Sequence, residues 1–243
     1  GKPIDAMRYA VWNKYAASGA HLTGKRLVGC EAMTNLAGVF RTSLEYLKQA
    51  ADLNFITGVN HSVLHGYNYS PPEAAFPGII RYGTFFNEQN LWWPYFRKWA
   101  DYNARLSWVF QEAPPAGEIA ILGPTCDVWG QNGLYRVPFV TTPPYLHEIW
   151  QMFHASGYSV DYVDGAVLAG ASTEGGLLRF GPAAFQMLIV ADVETLEPAA
   201  AETIRRFAEA GGKIAFARRT PNRSPQLVAG PKGDQAVRKA VAA

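Results

Sequence analysis

The sequence predicts an α/β protein with parallel sheets, built from two successive parts. Short apolar segments alternate with longer amphipathic segments, which is the pattern of strands joined by crossover helices, and the first of these strands ends on the carboxylate of Glu31. A Pro-rich linker, Pro114 to Gly117, interrupts the alternation before it restarts. We therefore expect a boundary near Pro115, with the parts at residues 1–115 and 116–243.

The first part contains two strand–helix units, followed by a long loop and a helix. Hydrophobic spacing predicts, in order, a helix over 4–17, a strand over 27–30, a helix over 43–53, a strand over 55–59, a loop over 61–90 and a helix over 91–113. The second strand would end on Asn60, so Asn60 and Glu31 are expected at the same edge of the sheet. A loop of about 30 residues is uncommon unless it is functional.

The second part repeats the alternation as a doubly wound parallel sheet. Its predicted strands lie at 119–122, 159–163, 186–190 and 213–217, with helices over 145–156 and 198–210. Glutamine amidotransferases share this topology but need a cysteine at a turn directly after a central strand. Here that strand leads into Ala191 and Asp192, and Cys126 follows the first strand instead. We expect no hydrolytic chemistry in this part.

The composition excludes several classes of partner. A net charge of +2 and scattered basic residues predict no nucleic-acid partner, and no run of about 18 apolar residues could form a membrane span. The two cysteines cannot build a framework of several disulfides. Aromatic residues reach 13%, and a surplus of aromatic rings around loops suits the binding of sugars.

Glu31 is the strongest candidate for a catalytic residue. It stands at the C-terminal end of a short parallel strand, where barrel enzymes place their catalytic groups. The alternative is a capping or solvent-facing glutamate, with Thr34 and Asn35 as local partners. On the catalytic interpretation, Glu31 is expected to be buried at the floor of a pocket beside Asn60 and His65.

Asn60 and His65 are candidates for binding substrate by hydrogen bonds. His61 and His65 are four residues apart, which could indicate a zinc pair, but such a pair needs a helix and a third ligand. Gly58 and Gly66 disfavour a helix here. Hydrogen bonding to a substrate or to the neighbouring carboxylate is therefore the preferred interpretation.

Aromatic side chains complete the predicted rim of the site. Tyr67, Trp92 and Trp93 are candidate sugar-binding residues because they lie in or directly after the long loop. We expect at least one tryptophan of the Trp92–Trp93 pair to pack in the core instead.

Several motifs of the first part together resemble a known family. They include His21, Gly24-Lys25, Glu31-Ala32-Met33-Thr34, Gly58-Val59-Asn60, His65, Pro77-Gly78, Gly83-Thr84-Phe85-Phe86-Asn87, Trp92-Trp93, Trp99 and Tyr102. This set resembles the seventh-strand region of glycoside hydrolase family 106, the α-L-rhamnosidases. The resemblance covers roughly the first 113 residues, and the second part is similar to the flavodoxin-like module that follows the barrel in such enzymes.

The resemblance implies a fold, a reaction and a cofactor. Residues 1–115 would be the C-terminal strand–helix units of a (β/α)8 barrel, and residues 116–243 a flavodoxin-like, amidotransferase-like domain without chemistry of its own. The enzyme would be an inverting glycosidase acting on plant or microbial glycosides, with Ca²⁺ near the sugar. Glu31 matches an acidic position whose role is general base or calcium ligand. The general acid would come from an earlier strand that this chain lacks, so the chain alone should be inactive.

Three alternatives stay open at this stage. A retaining, β-galactosidase-like parent would use Glu31 as its nucleophile. An inactive homologue would only bind glycans. The second part could also be an interaction module that assembles a homo-oligomer. His61 and Gly66 stand where basic or aromatic residues are more usual in the family, which leaves the sugar open.

Overall fold

The structure is a computed structural model that describes residues 6–78, 82–132, 147–225 and 230–242. The chain forms two compact units. The N-terminal unit comprises Trp12–Ala20 and Lys25–Pro114. The C-terminal unit comprises His21–Gly24 and the described residues of 1–11 and 115–243.

The elements alternate as an α/β protein requires. In the first half they are α1 (Ala6–Leu22), β1 (Gly29–Ala32), α2 (Leu44–Ile56), β2 (His61–Leu64), a short 3-10 turn (Trp93–Tyr95) and α3 (Phe96–Glu112). In the second half they are β3 (Ile119–Leu122), α4 (Thr125–Asn132), α5 (His147–Ala155), β4 (Val160–Val163), α6 (Gly165–Gly170), β5 (Ser172–Glu174), β6 (Leu177–Phe180), β7 (Ala183–Phe185), β8 (Met187–Ala191), α7 (Pro198–Glu209), β9 (Lys213–Ala217) and α8 (Gly230–Ala242). No helix in these ranges is long and apolar enough to cross a membrane.

The N-terminal unit is organised around the parallel pair β1 and β2. Their register aligns Gly29 with His61 and Ala32 with Leu64. Helix α2 begins at the cap residue Ser43, whose side chain accepts a hydrogen bond from the backbone N–H of Tyr46. A core forms beneath the strands from α2, α3 and the long loop, and its buried members are Ala32, Met33, Leu47, Ala51, Phe55, Phe86 and Trp99.

The second strand does not lie where the sequence predicts it. The predicted strand at 55–59 is instead the last turn of α2 and the loop after it, and β2 follows at His61–Leu64. Phe55 continues the four-residue spacing of Leu47 and Ala51, so its burial extends the helix. Gly58, at φ 95°, then reverses the chain. Asn60 consequently precedes β2 rather than following it.

The C-terminal unit contains a four-stranded parallel sheet in the order β4-β3-β8-β9. All four of its strands were predicted from the sequence within about one residue of their bounds. The structure adds elements that were not predicted: the antiparallel sheet β5-β6-β7, the helices α4 and α6, and the terminal helix α8. The predicted loop up to residue 144 lies partly outside the described residues.

The predicted division at residue 115 needs one amendment. The buried core of the C-terminal unit includes Leu22, which is 5% exposed, together with side chains from β3, β8 and α7. His21 Nδ1 lies 3.0 Å from Oδ1 of Asp161, a β4 carboxylate whose side chain is 3% exposed. A buried carboxylate needs such a partner, which explains why the end of α1 groups with the C-terminal unit.

Candidate functional site

A carboxylate, a hydroxyl and an imidazole meet at the C-terminal ends of β1 and β2. The hydroxyl of Thr34 donates to Glu31 Oε1 at 2.6 Å. His65 Nδ1 lies 3.1 Å from Thr34 Oγ1 and 3.3 Å from Glu31 Oε1. These three residues are called the carboxylate cluster below.

The strand pairing brings the cluster together. Glu31 is opposite Val63 in the register, and the backbone N–H of His65 donates to the carbonyl of Ala32 at 2.8 Å, so the pairing continues past the end of β2. Met33, at φ 69°, then turns the chain so that Thr34 faces Glu31. The sequence correctly placed Glu31 near His65, because adjacent parallel strands end at a common edge.

The expected burial of Glu31 is wrong for this structure. Its side chain is 67% exposed, and that of His65 is 31% exposed. Side chains alternate between the two faces of a strand. Cys30 and Ala32 pack against the core of the N-terminal unit, so Glu31 points to the opposite face.

The predicted role of Asn60 as a substrate ligand is also corrected. Asn60 is 5% exposed and lies before β2, at the end of the strand pair opposite to His65. Its Oδ1 accepts from the N–H of Val28 at 2.9 Å, while Nδ2 donates to the carbonyls of Arg26 at 2.9 Å and Phe110 at 3.2 Å. An amide has two N–H donors, and both are used. Asn60 therefore ties the start of β1 to the end of α3.

The three candidate aromatic residues belong to one contiguous aromatic group. Trp92 donates its indole N–H to the carbonyl of Thr42 at 2.6 Å. Trp93 stacks on Phe96 with ring centroids 5.0 Å apart and lies 6.4 Å from the ring of Tyr67. Trp92 and Trp93 both pack against the core of the N-terminal unit, whereas Tyr67 is 57% exposed. Of the three, Tyr67 is therefore the one placed to meet a ligand.

The hydroxyl of Tyr67 is held by a neighbouring carboxylate. It donates to Glu88 Oε2 at 3.2 Å. This hydrogen bond, with the negative charge of Glu88, raises the pKa of Tyr67. The phenol consequently stays protonated and can act as a fixed polar group at this rim.

A shallow groove of about 280 Å³ lies between the loops that follow β1 and β2. Its lining is mainly apolar and consists of Asn35, Leu36, Gly38, Val39, Gly78, Tyr82, Gly83 and Phe85. The side chain of Asn35 is committed to the loop itself, since Nδ2 donates to Met33 and Thr84 and Oδ1 accepts from Ala37. No sequence pattern marks this groove, because its residues come from two irregular loops.

The residues present do not form a complete metal site. Calcium takes six to eight oxygen ligands, and the carboxylate cluster offers a single carboxylate and one hydroxyl. No group of three or more His, Cys, Asp or Glu side chains suited to a metal occurs in the part of the chain that the structure describes. His61 and His65 stand about 13 Å apart along the strand direction, too far for one zinc ion.

The C-terminal unit places its cysteine in an unreactive setting. The thiol of Cys126 donates to Glu197 Oε1 at 3.4 Å. Burial, reinforced by the charge of Glu197, raises the pKa of Cys126 to about 12. A thiol is nucleophilic only as the thiolate, so Cys126 is not an activated nucleophile of the amidotransferase kind.

Comparisons with known proteins agree with the family resemblance of the sequence motifs. The model of glycoside hydrolase family 106, described as α-L-rhamnosidase, matches residues 3–243. A protein of Formosa agariphila named "Putative beta-glucuronidase" is 25% identical over 217 residues, which cover 88% of this chain and 17% of that protein.

Two solved structures share the fold. The rhamnosidase from Novosphingobium sp. PP1Y superposes with a TM-score of 0.72 and 24% identity, covering 97% of this chain and 21% of that one. Gan42B, a GH42 β-galactosidase, superposes with a TM-score of 0.55 and 16% identity, covering 87% of this chain and 29% of that one. The chain thus spans about a fifth of the length of the first two relatives.

Proposed function

The chain belongs to the α-L-rhamnosidase family, glycoside hydrolase family 106, and we propose that it is the C-terminal part of the catalytic barrel of a longer glycosidase together with the domain that follows. The parallel pair β1 and β2, with a helix after each strand, supports the barrel assignment. In the C-terminal unit, the order β4-β3-β8-β9 places the second, first, third and fourth parallel strands side by side. That order supports a flavodoxin-like domain.

The proposed reaction is hydrolysis of α-L-rhamnosides, in plant or microbial glycans, with inversion at the anomeric carbon. Glu31 is the proposed general base. It takes a proton from a water molecule as the water oxygen bonds to the anomeric carbon and the bond to the leaving oxygen breaks. A carboxylic acid elsewhere in the longer protein protonates the leaving oxygen. In an inverting site the two carboxyl groups lie roughly 6.5–9.5 Å apart.

One observation carries this assignment: Glu31 stands at the C-terminal end of β1 with its carboxylate held by Thr34 and His65. The hydrogen bonds that the structure describes for this carboxylate fall on Oε1, so Oε2 can accept a hydrogen from water. The exposure of Glu31 agrees with a site that the remaining barrel strands complete. No step of this scheme is assigned to calcium, because the described residues of this chain do not by themselves complete a calcium site.

The decisive experiment replaces Glu31 in the full-length protein. Glu31→Gln keeps the shape of the side chain but cannot take a proton, and loss of a general base typically lowers kcat by about 10²–10⁴-fold. Glu45→Gln is the matched control, since Glu45 is an exposed glutamate in the first turn of α2. Turnover of an aryl α-L-rhamnoside at the wild-type rate by Glu31→Gln would refute the assignment.

The stereochemistry of the product separates the proposal from the retaining alternative. In the retaining alternative, Glu31 would be the nucleophile. Proton NMR of the first-formed sugar gives β-L-rhamnose for inversion and α-L-rhamnose for retention. Binding without turnover by the full-length protein would indicate a glycan-binding homologue instead.

A further inference from the structure

The hydroxyl of Thr34 lies between the two titratable groups of the carboxylate cluster and takes no part in the proton transfers of the proposed reaction. We infer that Thr34 is a positioning residue, which fixes the carboxylate of Glu31 and links it to His65. This inference rests on the proposed role of Glu31. It concerns the orientation of the carboxylate, which neither the family match nor the structural comparisons address.

The direction of the two hydrogen bonds follows from counting hydrogens. A hydroxyl has one hydrogen and two lone pairs, and an ionised carboxylate can only accept. The Thr34 hydrogen therefore points to Glu31 Oε1, at 2.6 Å. His65 Nδ1, at 3.1 Å, must then carry a hydrogen and donate to Thr34 Oγ1. The result is a one-way chain from imidazole to hydroxyl to carboxylate.

An exposed glutamate needs such a restraint. In this structure the side chain of Glu31 is 67% exposed, so its contacts with Thr34 and His65 do more than packing to select one rotamer. Hydrogen bonds to an ionised acceptor are about twice as strong as neutral ones. A general base must stand within hydrogen-bond reach of the water that it activates, and a misplacement of about 1 Å can cost a factor of 10² in rate.

Thr34 can be replaced without harm to the loop around it. Its side chain is exposed. The loop is held instead by Asn35, which bonds to Met33, Ala37 and Thr84, and whose backbone N–H donates to the carbonyl of Tyr82 at 2.6 Å. A change at Thr34 should thus alter the carboxylate and not the fold.

The first test measures turnover by the full-length protein with Thr34→Val, Thr34→Ser and Glu31→Gln compared in parallel. Thr34→Val is expected to lower kcat for an aryl α-L-rhamnoside by about 10- to 100-fold with KM changed less than about twofold. Thr34→Ser keeps the hydroxyl and should restore most of the rate. A Thr34→Val protein with wild-type kcat, beside an inactive Glu31→Gln protein, overturns the positioning role alone. A fully active Glu31→Gln protein overturns the proposed function and the positioning role together.

The second test needs no activity and uses the 243-residue chain. Three-bond couplings in glutamate-labelled protein report whether Glu31 occupies one χ1 rotamer or averages over several. We expect a single rotamer in the wild type and in Thr34→Ser, and averaged couplings in Thr34→Val, with the couplings of Glu45 unchanged throughout. Identical Glu31 couplings in the wild type and Thr34→Val would overturn the inference.

Discussion

Replacing Asn60 by alanine should destabilise the N-terminal unit by about 3 kcal/mol. The substitution removes the partners of three backbone groups: the N–H of Val28 and the carbonyls of Arg26 and Phe110. Each hydrogen bond of this kind contributes about 1 kcal/mol net. The bond to Val28 is buried and the other two are partly buried, so the loss of the bond to Val28 should cost the most.

A matched asparagine in the same unit provides the control. Asn103, on α3, donates one hydrogen bond to the carbonyl of Trp99 four residues earlier, and its Oδ1 is buried with no partner among the described residues. Alanine has a better helix propensity than asparagine, by up to about 0.7 kcal/mol. Asn103→Ala should therefore change the free energy of unfolding by less than about 1 kcal/mol, or raise it.

The measurement is urea unfolding of the 243-residue chain, monitored by tryptophan fluorescence. Trp99 and Trp108 lie on α3, so the signal reports on that helix. A lower midpoint at unchanged slope isolates a change in stability. The structural role is refuted if the free energy of unfolding of Asn60→Ala lies within about 1 kcal/mol of that of the wild type. If the full-length variant also binds its substrate more weakly, the sequence-based prediction that Asn60 binds substrate is right.

Three further outcomes are expected. The isolated chain should not hydrolyse aryl rhamnosides, because the proposed general acid lies elsewhere in the longer protein; a rate above that of a mock purification and equal to the full-length enzyme would contradict this. Residues 117–243 should give a cooperative circular dichroism melt while 1–116 should not, and the melting temperature of 117–243 should fall below that of the same unit in the whole chain, since Leu22 and the His21–Asp161 pair are lost. A cooperative melt of 1–116 alone would reverse that expectation. In a Cys30→Ser chain at pH 8, a pKa of about 12 leaves Cys126 about 1,000-fold less thiolate than its ordinary value of 9.0 would; disulfide-reagent kinetics should show that deficit in the folded protein and recover in urea.

The sheet of the C-terminal unit was predictable because its strands are buried on both faces. Ile119–Leu122 is a continuous apolar run, and each of its residues is buried. A continuous apolar run of this kind can be recognised as a buried strand from the local sequence alone. The strands of the antiparallel sheet β5-β6-β7 are only three or four residues long, and most of their side chains are partly exposed, so no periodic signal marks them.

The misplaced second strand shows where local patterns fail. Phe55 to Val59 is apolar enough for a strand, yet Phe55 completes the buried face of α2. The true strand His61–Leu64 alternates between exposed and half-buried side chains and contains two polar residues. Tertiary packing decided between the two, and the shift moved Asn60 from one end of the strand to the other.

The site was predicted only in part. Glu31 and His65 were placed together correctly, because strand pairing alone fixes their neighbourhood. The part played by Thr34 depends on the turn at Met33, where a positive φ brings the hydroxyl back toward the carboxylate. No residue in that turn is glycine, so the sequence carries no mark of it.

The position of Asn60 has a consequence for how such enzymes diversify. The carboxamide ties its own segment to the start of β1 and to the end of α3, at the N-terminal end of the strand pair, while the carboxylate cluster and the apolar groove lie at the other end. Insertions or exchanges in the loops after β1 and β2 would leave that anchor intact. New substrate preferences could accumulate there over generations of descent at little cost in stability, with the scaffold inherited unchanged.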